Sequence, residues 1–157
     1  MTRITQFILI GAIAAAAVPI IFFAVLSMVS SRPTTLGLVN GRLADCPATP
    51  NCVSSQASDP SKRMEPIHYS GSADDAMKQL AAVVTTLPRA TIVTRSQHYL
   101  HVEYTTLIFR YVDDVEFQID PNASVIHFRS ASRVGHSDLG VNRKRMDMIQ
   151  KAFEASR

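Results

Sequence analysis

The sequence predicts an α+β domain that follows an apolar N-terminal helix, and three patterns lead to this class. No charged residue occurs from Phe7 to Val29. Apolar residues recur at helical spacing between residues 76 and 87 and again from 146 to 153, whereas apolar and polar residues alternate in segments between 91 and 130. The order of one strand, one helix, four strands and one helix predicts an antiparallel sheet with both helices on one face. This arrangement is similar to the helix-grip fold.

The apolar N-terminal run predicts a membrane anchor comprising residues 1–30. As a helix, Phe7–Val29 would be roughly 35 Å long, and the hydrocarbon core of a bilayer is about 30 Å thick. A cleaved secretory signal is the alternative, since Arg3 precedes the run, but the apolar part of a signal usually has only about 7 to 15 residues. We therefore expect residues 7–29 to contact lipid, residues 31–44 to form a linker, and residues 45–157 to form one domain.

Within the domain, local signals define most of the elements. Ser72 is a candidate N-cap for a helix that Pro88 ends, and the last helix is expected to begin near Asp138 or Leu139. Clean alternation in the strands predicts a sheet with one packed face and one face open to water. The predicted strands are Ile67–Tyr69, Thr91–Thr94, Tyr99–Thr105, Val115–Ile119 and Val125–Ser130.

The two cysteines, Cys46 and Cys52, indicate the compartment of the domain. They bracket Pro47 and Pro50 in a segment, residues 46–66, whose composition predicts an ordered loop. Their spacing does not fit a Cys-x-x-Cys redox site, and two cysteines alone do not make a structural zinc site. Reduced thiols in a cytoplasmic loop are the alternative to a disulfide. Together with the anchor, the pair favours a single-pass protein of the cell membrane whose C-terminal domain lies in the periplasm.

Charge is distributed unevenly along the chain. Residues 33–128 carry seven basic and ten acidic residues, whereas residues 129–157 carry seven basic and three acidic ones. The basic C-terminal part is therefore suited to an anionic lipid, a phosphate group or an acidic partner in the envelope. The sequence contains no motif of a common cofactor, and no basic patch interleaved with aromatic residues indicates nucleic-acid binding.

The segment from Arg129 to Arg145, here called the Arg-rich motif, concentrates side chains that could hold an anion. Asn142 lies four residues before Met146, which places an amide on the apolar stripe at the first turn of the last helix. Free backbone N–H groups at a helix N-terminus favour an anion there. The alternative is an internal polar clamp, in which Asn142 ties the start of the helix to the preceding strand. The candidate ligand-binding residues are Arg129, Ser132, Arg133, Asn142 and Arg143.

Other residues in and near this motif are assigned structural roles. Arg129 is expected to pair across strands with an aspartate, and Asp138 is suited to cap the last helix. The glycines of the motif permit tight turns, and the run Arg143–Arg145 is expected to form a solvated helix face. The residues with structural roles are Asp113, Asp114, Gly135, Asp138 and Gly140.

The acidic residues that precede the Arg-rich motif do not predict a metal site. Alternation places Asp113 on the face opposite Asp114 and Glu116, so the three carboxylates would not converge on Ca²⁺ or Mg²⁺. No catalytic residue is assigned. An enzyme would require a cleft in which Asp114, Arg129 and His127 converge, and this is the weakest of the hypotheses.

Three motifs together resemble those of a known family. They are Cys46-Pro-Ala-Thr-Pro-Asn-Cys-Val-Ser-Ser55, Asp113-Asp114-Val-Glu-Phe117 and the Arg-rich motif. From about Leu43 to Phe153, the sequence resembles the domain of unknown function 1499 family. The resemblance implies an uncharacterised membrane-anchored or exported protein and no particular activity. We expect an extracytoplasmic domain that binds an anionic ligand or lipid head group, or alternatively a structural or assembly protein of the envelope.

Overall fold

A computed structural model of the chain describes residues 2–28, 30–108 and 110–156. Within these ranges, an N-terminal helix is followed by an α+β domain, as the sequence predicts. The helices are α1 (Arg3–Met28), α2 (Ala73–Thr86) and α3 (Val141–Ala155). The strands are β1 (Leu38–Val39), β2 (Arg42–Leu43), β3 (Cys52–Ser54), β4 (Ile67–His68), β5 (Ala90–Arg95), β6 (Tyr99–Thr105), β7 (Val112–Asp120) and β8 (Val125–Ser132).

The first helix is long and apolar enough to cross a membrane. α1 has 26 residues, which is about 39 Å at 1.5 Å per residue, and its segment Arg3–Phe22 has the length and composition of a membrane span. A secretory signal near the N-terminus would meet the same test, so both alternatives from the sequence stand. Val29, the last residue of the predicted apolar run, lies outside the described residues.

The domain is built on an antiparallel sheet with the strand order β3-β8-β7-β6-β5, and β4 also pairs with β8. In its register, Glu103 is opposite Asp114, and Glu116 is opposite Arg129. α2 and α3 pack on one face of this sheet. The β6–β7 loop (described residues 106–108, 110 and 111), the C-terminus of α2 and the N-terminus of α3 lie at one end of the sheet, here called the loop end.

The apolar core lies between the sheet and the two helices. Phe117 and Phe128 point into it from the sheet, Leu80 from α2 and Phe153 from α3, and all four are fully buried. Burying one such side chain stabilises a fold by about 1.5–3 kcal/mol. The apolar side chains that recur every second residue along the strands and every 3.6 residues along the helices therefore pack together in one core.

The second face of the sheet is also covered, which corrects the prediction of a face open to water. Residues 32–45, here called the strap, contact this face and include most of the predicted linker. The backbone N–H of Gly37 donates to Oε1 of Glu116 at 2.7 Å, and Leu43 is buried. Glu116 has no exposed surface. Polar side chains that the alternating pattern predicted to be exposed to solvent are therefore buried beneath a segment of the same chain.

The predicted loop at residues 46–66 contains regular structure. Its strand β3 pairs with the end of β8 in a register that places Cys52 opposite Ala131, and Pro60–Lys62 form a 3₁₀ turn. A strand of three residues is too short to show a period in the sequence. Its position is decided by pairing with a distant strand.

The helix boundaries agree with the sequence at α2 and differ at α3. α2 begins after Ser72, whose hydroxyl caps it. α3 begins at Val141 instead of near Asp138, and Gly140 takes the N-cap position with a left-handed φ of 78°. The carboxylate of Asp138 nevertheless caps the helix, because it accepts hydrogen bonds from the backbone N–H groups of Gly140 and Asn142.

Candidate functional site

The Arg-rich motif is divided between the two faces of the sheet because its first part lies in β8. Ser130 and Ser132 bond the side chain of Asn142 on the helix face, whereas Arg129 and Arg133 bond carboxylates on the strap face. Successive side chains along a strand point to opposite faces. The motif therefore contributes to two polar clusters, here called the helix-side cluster and the strap-side cluster.

Asn142 is the centre of the helix-side cluster and is fully buried. Its Oδ1 accepts hydrogen bonds from Oγ of Ser130 at 2.6 Å and from Nη1 of Arg145 at 2.6 Å. Its Nδ2 donates to Oγ of Ser132 at 3.0 Å and to the main-chain carbonyl of Asn51 at 3.1 Å. Both donors and both lone pairs of the amide are thus used. The side chain joins the start of α3 to β8 and to the cysteine segment.

Arg145 completes the helix-side cluster, which corrects the prediction that it lies on a solvated face. Its Nη2 donates to Oδ2 of Asp113 at 2.5 Å, and its guanidinium lies 4.8 Å from the ring centroid of Tyr104. Asp113 is 3% exposed, so it needs a cation to compensate its buried charge. Burial raises the pKa of Tyr104 above its usual value, although the charge of Arg145 acts in the opposite direction.

Arg133 is the centre of the strap-side cluster and joins two strands. It donates to both oxygens of Asp114, from Nε at 2.8 Å and from Nη2 at 2.7 Å, and it also donates to Glu103. Nε2 of His101 lies 2.8 Å from Oδ1 of Asp114. Burial alone would raise the pKa of Asp114, but hydrogen bonds from Arg133 and His101 outweigh it, and the pKa lies below its usual value. Bidentate pairs of this kind fix geometry as well as charge.

Arg129 pairs with Glu116, which corrects the prediction of a pair with Asp113 or Asp114. Nη1 of Arg129 lies 3.1 Å from Oε2 of Glu116, because the register places these two residues opposite each other. The second oxygen of Glu116 accepts the N–H of Gly37 in the strap. This carboxylate therefore joins β7, β8 and the strap.

Three groups of the strap-side cluster are of types that bind metals. One ligand atom from each of His101, Glu103 and Asp114 lies within 4.8 Å of the other two. The guanidinium of Arg133 bonds both carboxylates, and Arg32 provides a second cation for Glu103. Asp113 bonds Arg145 of α3 instead, on the opposite face, as alternation predicts. The cluster is an ion-pair network, and we assign no metal to it.

The disulfide between Cys46 and Cys52 closes a loop that packs against the Arg-rich motif. Inside this loop, the carbonyl of Asn51 accepts hydrogen bonds from the last backbone N–H of β8 and from Asn142. Nδ2 of Asn51 donates to the carbonyl of Gly135 at 2.7 Å. The cysteine motif and the Arg-rich motif, which are far apart in the sequence, therefore form one structural unit.

Two residues that the sequence did not single out position the disulfide loop. One is Asn51, and the other is Lys62, which is 8% exposed. Nζ of Lys62 donates to the carbonyl of Ala48 at 3.0 Å and to that of Pro47. In the sequence, their closeness to the cysteines is the signal that indicates this role. It does not reveal their partners, because those contacts depend on the path of the folded loop.

The five candidate ligand-binding residues lie in three separate places. Ser132 and Asn142 belong to the helix-side cluster, and Arg129 and Arg133 belong to the strap-side cluster. Arg143 is partly exposed and lies on the side of α3 that faces the 3₁₀ turn, where its Nη2 donates to the carbonyl of Ser61 at 2.8 Å. The sheet separates the first two groups, so the five side chains do not line one pocket.

Asp114, Arg129 and His127 all face the strap, but each bonds a different neighbour. Asp114 and Arg129 belong to the ion pairs described above, and Nδ1 of His127 lies 3.2 Å from Oγ of Ser55. Burial lowers the pKa of His127 below its usual value. In the described part of the chain, no hydrogen bond joins any two of these three side chains.

The fold and the two polar clusters together define a small α+β domain that follows an apolar N-terminal helix. In this domain the cysteine motif and the Arg-rich motif bond each other. The chain belongs to the family described as protein of unknown function (DUF1499), whose model matches residues 42–153. The match extends from β2 to α3 and confirms the resemblance seen in the sequence. A search of curated proteins found no match.

Proposed function

We propose that the chain is a membrane-anchored extracytoplasmic domain with a structural or assembly role in the cell envelope. In this role the Arg-rich motif is an internal clamp. The observation that carries the proposal is that Arg129, Arg133 and Asn142 of the motif all bond groups of the same domain, and among the donors of these three side chains Nε of Arg129 is buried without a hydrogen-bond partner within the described residues. Satisfied buried polar networks make a domain rigid and its fold specific, which suits a domain that presents a fixed surface to its neighbours.

The hypothesis that this motif binds an anion has less support from the same contacts. A ligand at Arg133 would have to displace Asp114 and Glu103 and leave two carboxylates without their main partner. Leaving one member of a buried ion pair unpaired costs about 3–5 kcal/mol, and the interactions of the ligand would have to exceed that cost. An anionic lipid or partner is more readily accommodated on the outer surface of the domain.

The disulfide and α1 support a location outside the cytoplasm. Disulfides persist in oxidising compartments and are rare in the cytosol, and α1 has the length and composition of a membrane span. A single pass through the cell membrane with the domain in the periplasm accounts for both features.

The clamp is tested by a pair of arginine variants of the full chain. Arg133→Ala removes the central guanidinium of the strap-side cluster, and Arg143→Ala removes a partly exposed guanidinium on α3. We expect the melting temperature to fall by about 10 °C for Arg133→Ala and to change little for Arg143→Ala. If Arg133→Ala melted like the unchanged chain and bound less well to vesicles of phosphatidylglycerol, the motif would be a ligand site and the proposal would fail.

The location is tested on membranes from cells that produce the full chain. Alkaline carbonate is expected to leave the chain in the membrane pellet, and a thiol reagent is expected to label Cys46 and Cys52 only after reduction. Release by carbonate would contradict the anchor. Labelling without a reductant would contradict the oxidising compartment.

A further inference from the structure

We propose that the β6–β7 loop and the cleft beside it dock on the anionic surface of the bilayer that holds α1. The inference rests on the anchoring in the proposed function and adds the surface through which the domain meets lipid. Three observations at the loop end of the sheet carry it: exposed apolar side chains, a cationic lining and a short connection to α1.

Exposed apolar side chains concentrate at the loop end. Seven large apolar residues are exposed within residues 30–108 and 110–156. Leu107 and Ile108 in the β6–β7 loop are 71% and 65% exposed. A cluster of exposed apolar side chains marks a surface that meets lipid or protein. Four of the seven, Leu107, Ile108, Leu139 and Val141, lie in this loop or at the start of α3, and a fifth, Met148 in the middle of α3, lines the cleft beside the loop.

A cleft of about 340 Å³ continues this surface between the β6–β7 loop and α3. Leu107, Val141 and Met148 line it with apolar groups, and Arg89 and Lys144 line it with cations. No carboxylate is among the described residues that line it. Apolar groups flanked by Lys and Arg suit an anionic membrane interface, where the apolar groups enter the boundary of the acyl chains and the cations meet the phosphates.

The connection to α1 keeps the loop end close to the membrane. Nε of Arg32 donates to Oε1 of Glu103 at 2.6 Å, and Arg32 follows Met28, the last residue of α1, by four positions. Four residues of extended chain span at most about 14 Å. Glu103 lies two residues before Thr105, where β6 ends and the loop begins. With α1 in the bilayer, this bond places the loop within reach of the same leaflet.

The short connection favours lipid over a protein partner as the occupant of this surface. A protein would have to find the loop end by diffusion, whereas the leaflet beside α1 is always adjacent to it. The absence of carboxylates from the described lining also matches a surface of phosphates better than it matches a neutral protein surface.

The test measures the depth of the loop in vesicles that contain the full chain. Because Cys46 and Cys52 form a disulfide, Leu107→Cys introduces a single reactive thiol that takes an apolar nitroxide. Vesicles are made of phosphatidylcholine alone or mixed with phosphatidylglycerol. Collision rates with oxygen, which concentrates in lipid, and with a water-soluble nickel complex report the depth. The matched control is Asn122→Cys, an exposed position in the β7–β8 turn at the other end of the sheet.

We expect the ratio of oxygen to nickel collisions at position 107 to be several-fold higher than at position 122, and highest in the anionic vesicles. Lys144→Gln is expected to lower the ratio at position 107 in anionic vesicles. Lys78→Gln, an exposed lysine in the N-terminal half of α2, is expected to leave it unchanged. Salt is expected to act like Lys144→Gln, because it screens exposed charges.

Failure of the docking and failure of the anchor give different results. If carbonate leaves the chain in the vesicles but the label at position 107 is as accessible to nickel as the label at position 122, the docking is wrong and the anchor stands. Equal ratios of oxygen to nickel collisions at position 107 in the two kinds of vesicle would show that the docking does not depend on anionic lipid. A label at position 107 that is shielded in native membranes but exposed in both kinds of vesicle would assign the surface to a protein partner instead.

Discussion

Asn142 donates a hydrogen bond from its side chain to the main-chain carbonyl of Asn51, 3.1 Å away, across 91 positions of the sequence. The same amide bonds Ser130, Ser132 and Arg145. One side chain therefore fixes the relative positions of the disulfide loop, the last strand and the last helix. Replacing it would disturb all three connections at once.

Asn142→Ala is expected to lower the free energy of unfolding by about 3 kcal/mol, because it leaves buried donors and acceptors without a partner. Urea denaturation of the full chain in detergent, followed by tyrosine fluorescence, measures the loss. Asn122→Ala, an exposed amide in the β7–β8 turn, is the control and is expected to change the free energy little. Similar losses for the two variants would show that the amide of Asn142 is not a structural connection.

Arg145 and Asp113 are expected to behave as a coupled pair. Arg145→Met leaves the carboxylate of Asp113 buried and unpaired, and we expect a loss of about 3–5 kcal/mol. Adding Asp113→Asn removes that charge, so the double variant is expected to be more stable than Arg145→Met alone. Urea denaturation of the two single variants and the double variant gives the coupling energy. Additive losses would contradict the pair.

Asp114 is expected to give the stability of the domain a dependence on pH. Although burial opposes it, hydrogen bonds from Arg133 and His101 hold the pKa of Asp114 below the ordinary 3.8. Its contribution to the free energy of unfolding is therefore complete above about pH 5 and is lost as the pH falls through 3.8 towards the folded-state pKa. Asp114→Asn is expected to lose less stability than the unchanged chain over this interval.

The measurement for Asp114 is a series of urea denaturations at decreasing pH. Asp74→Asn, which changes an exposed carboxylate on α2, is the control for the change in net charge and is expected to keep the original slope. An Asp114→Asn variant with the same pH slope as the unchanged chain would show that this carboxylate does not contribute in the way described.

The disulfide is expected to stabilise the domain by about 2 kcal/mol, since it closes a short loop in the unfolded chain. Replacing both Cys46 and Cys52 by Ser is expected to lower the midpoint of urea denaturation accordingly. Dithiothreitol is expected to lower the midpoint of the unchanged chain to that of the double variant and to leave the variant where it is. If dithiothreitol lowered the midpoint of both proteins, its effect would not come from reduction of this disulfide.

Local signals explain what the sequence predicted correctly. Ser72 and Pro88 lie within one turn of the ends of α2, and the alternation from Tyr99 to Thr105 covers the whole of β6. Asn142 is buried as its position on the apolar stripe predicts. Each of these features is decided by residues close to one another along the chain.

Distant contacts explain what the sequence did not predict. The strap has strands of only two residues, and its position depends on hydrogen bonds to the sheet, such as that from Gly37 to Glu116. Arg145 lies in a run of three basic residues that resembles a solvated face. Its burial follows from Asp113, which faces the helices and needs a cation. The predicted partner of Arg129 was wrong because the partner depends on the register in which the two strands pair. This register places Glu116 opposite Arg129.

The strap also decides where the domain can be cut free of α1 for work in solution. The family match begins at residue 42, and a fragment that started there would lack Arg32 and Gly37. Glu103 and Glu116 would then each lose a bonding partner, and the part of the face beneath residues 32–41 would be open to solvent. A soluble fragment that keeps both contacts has to begin in the short stretch directly after α1, upstream of Arg32.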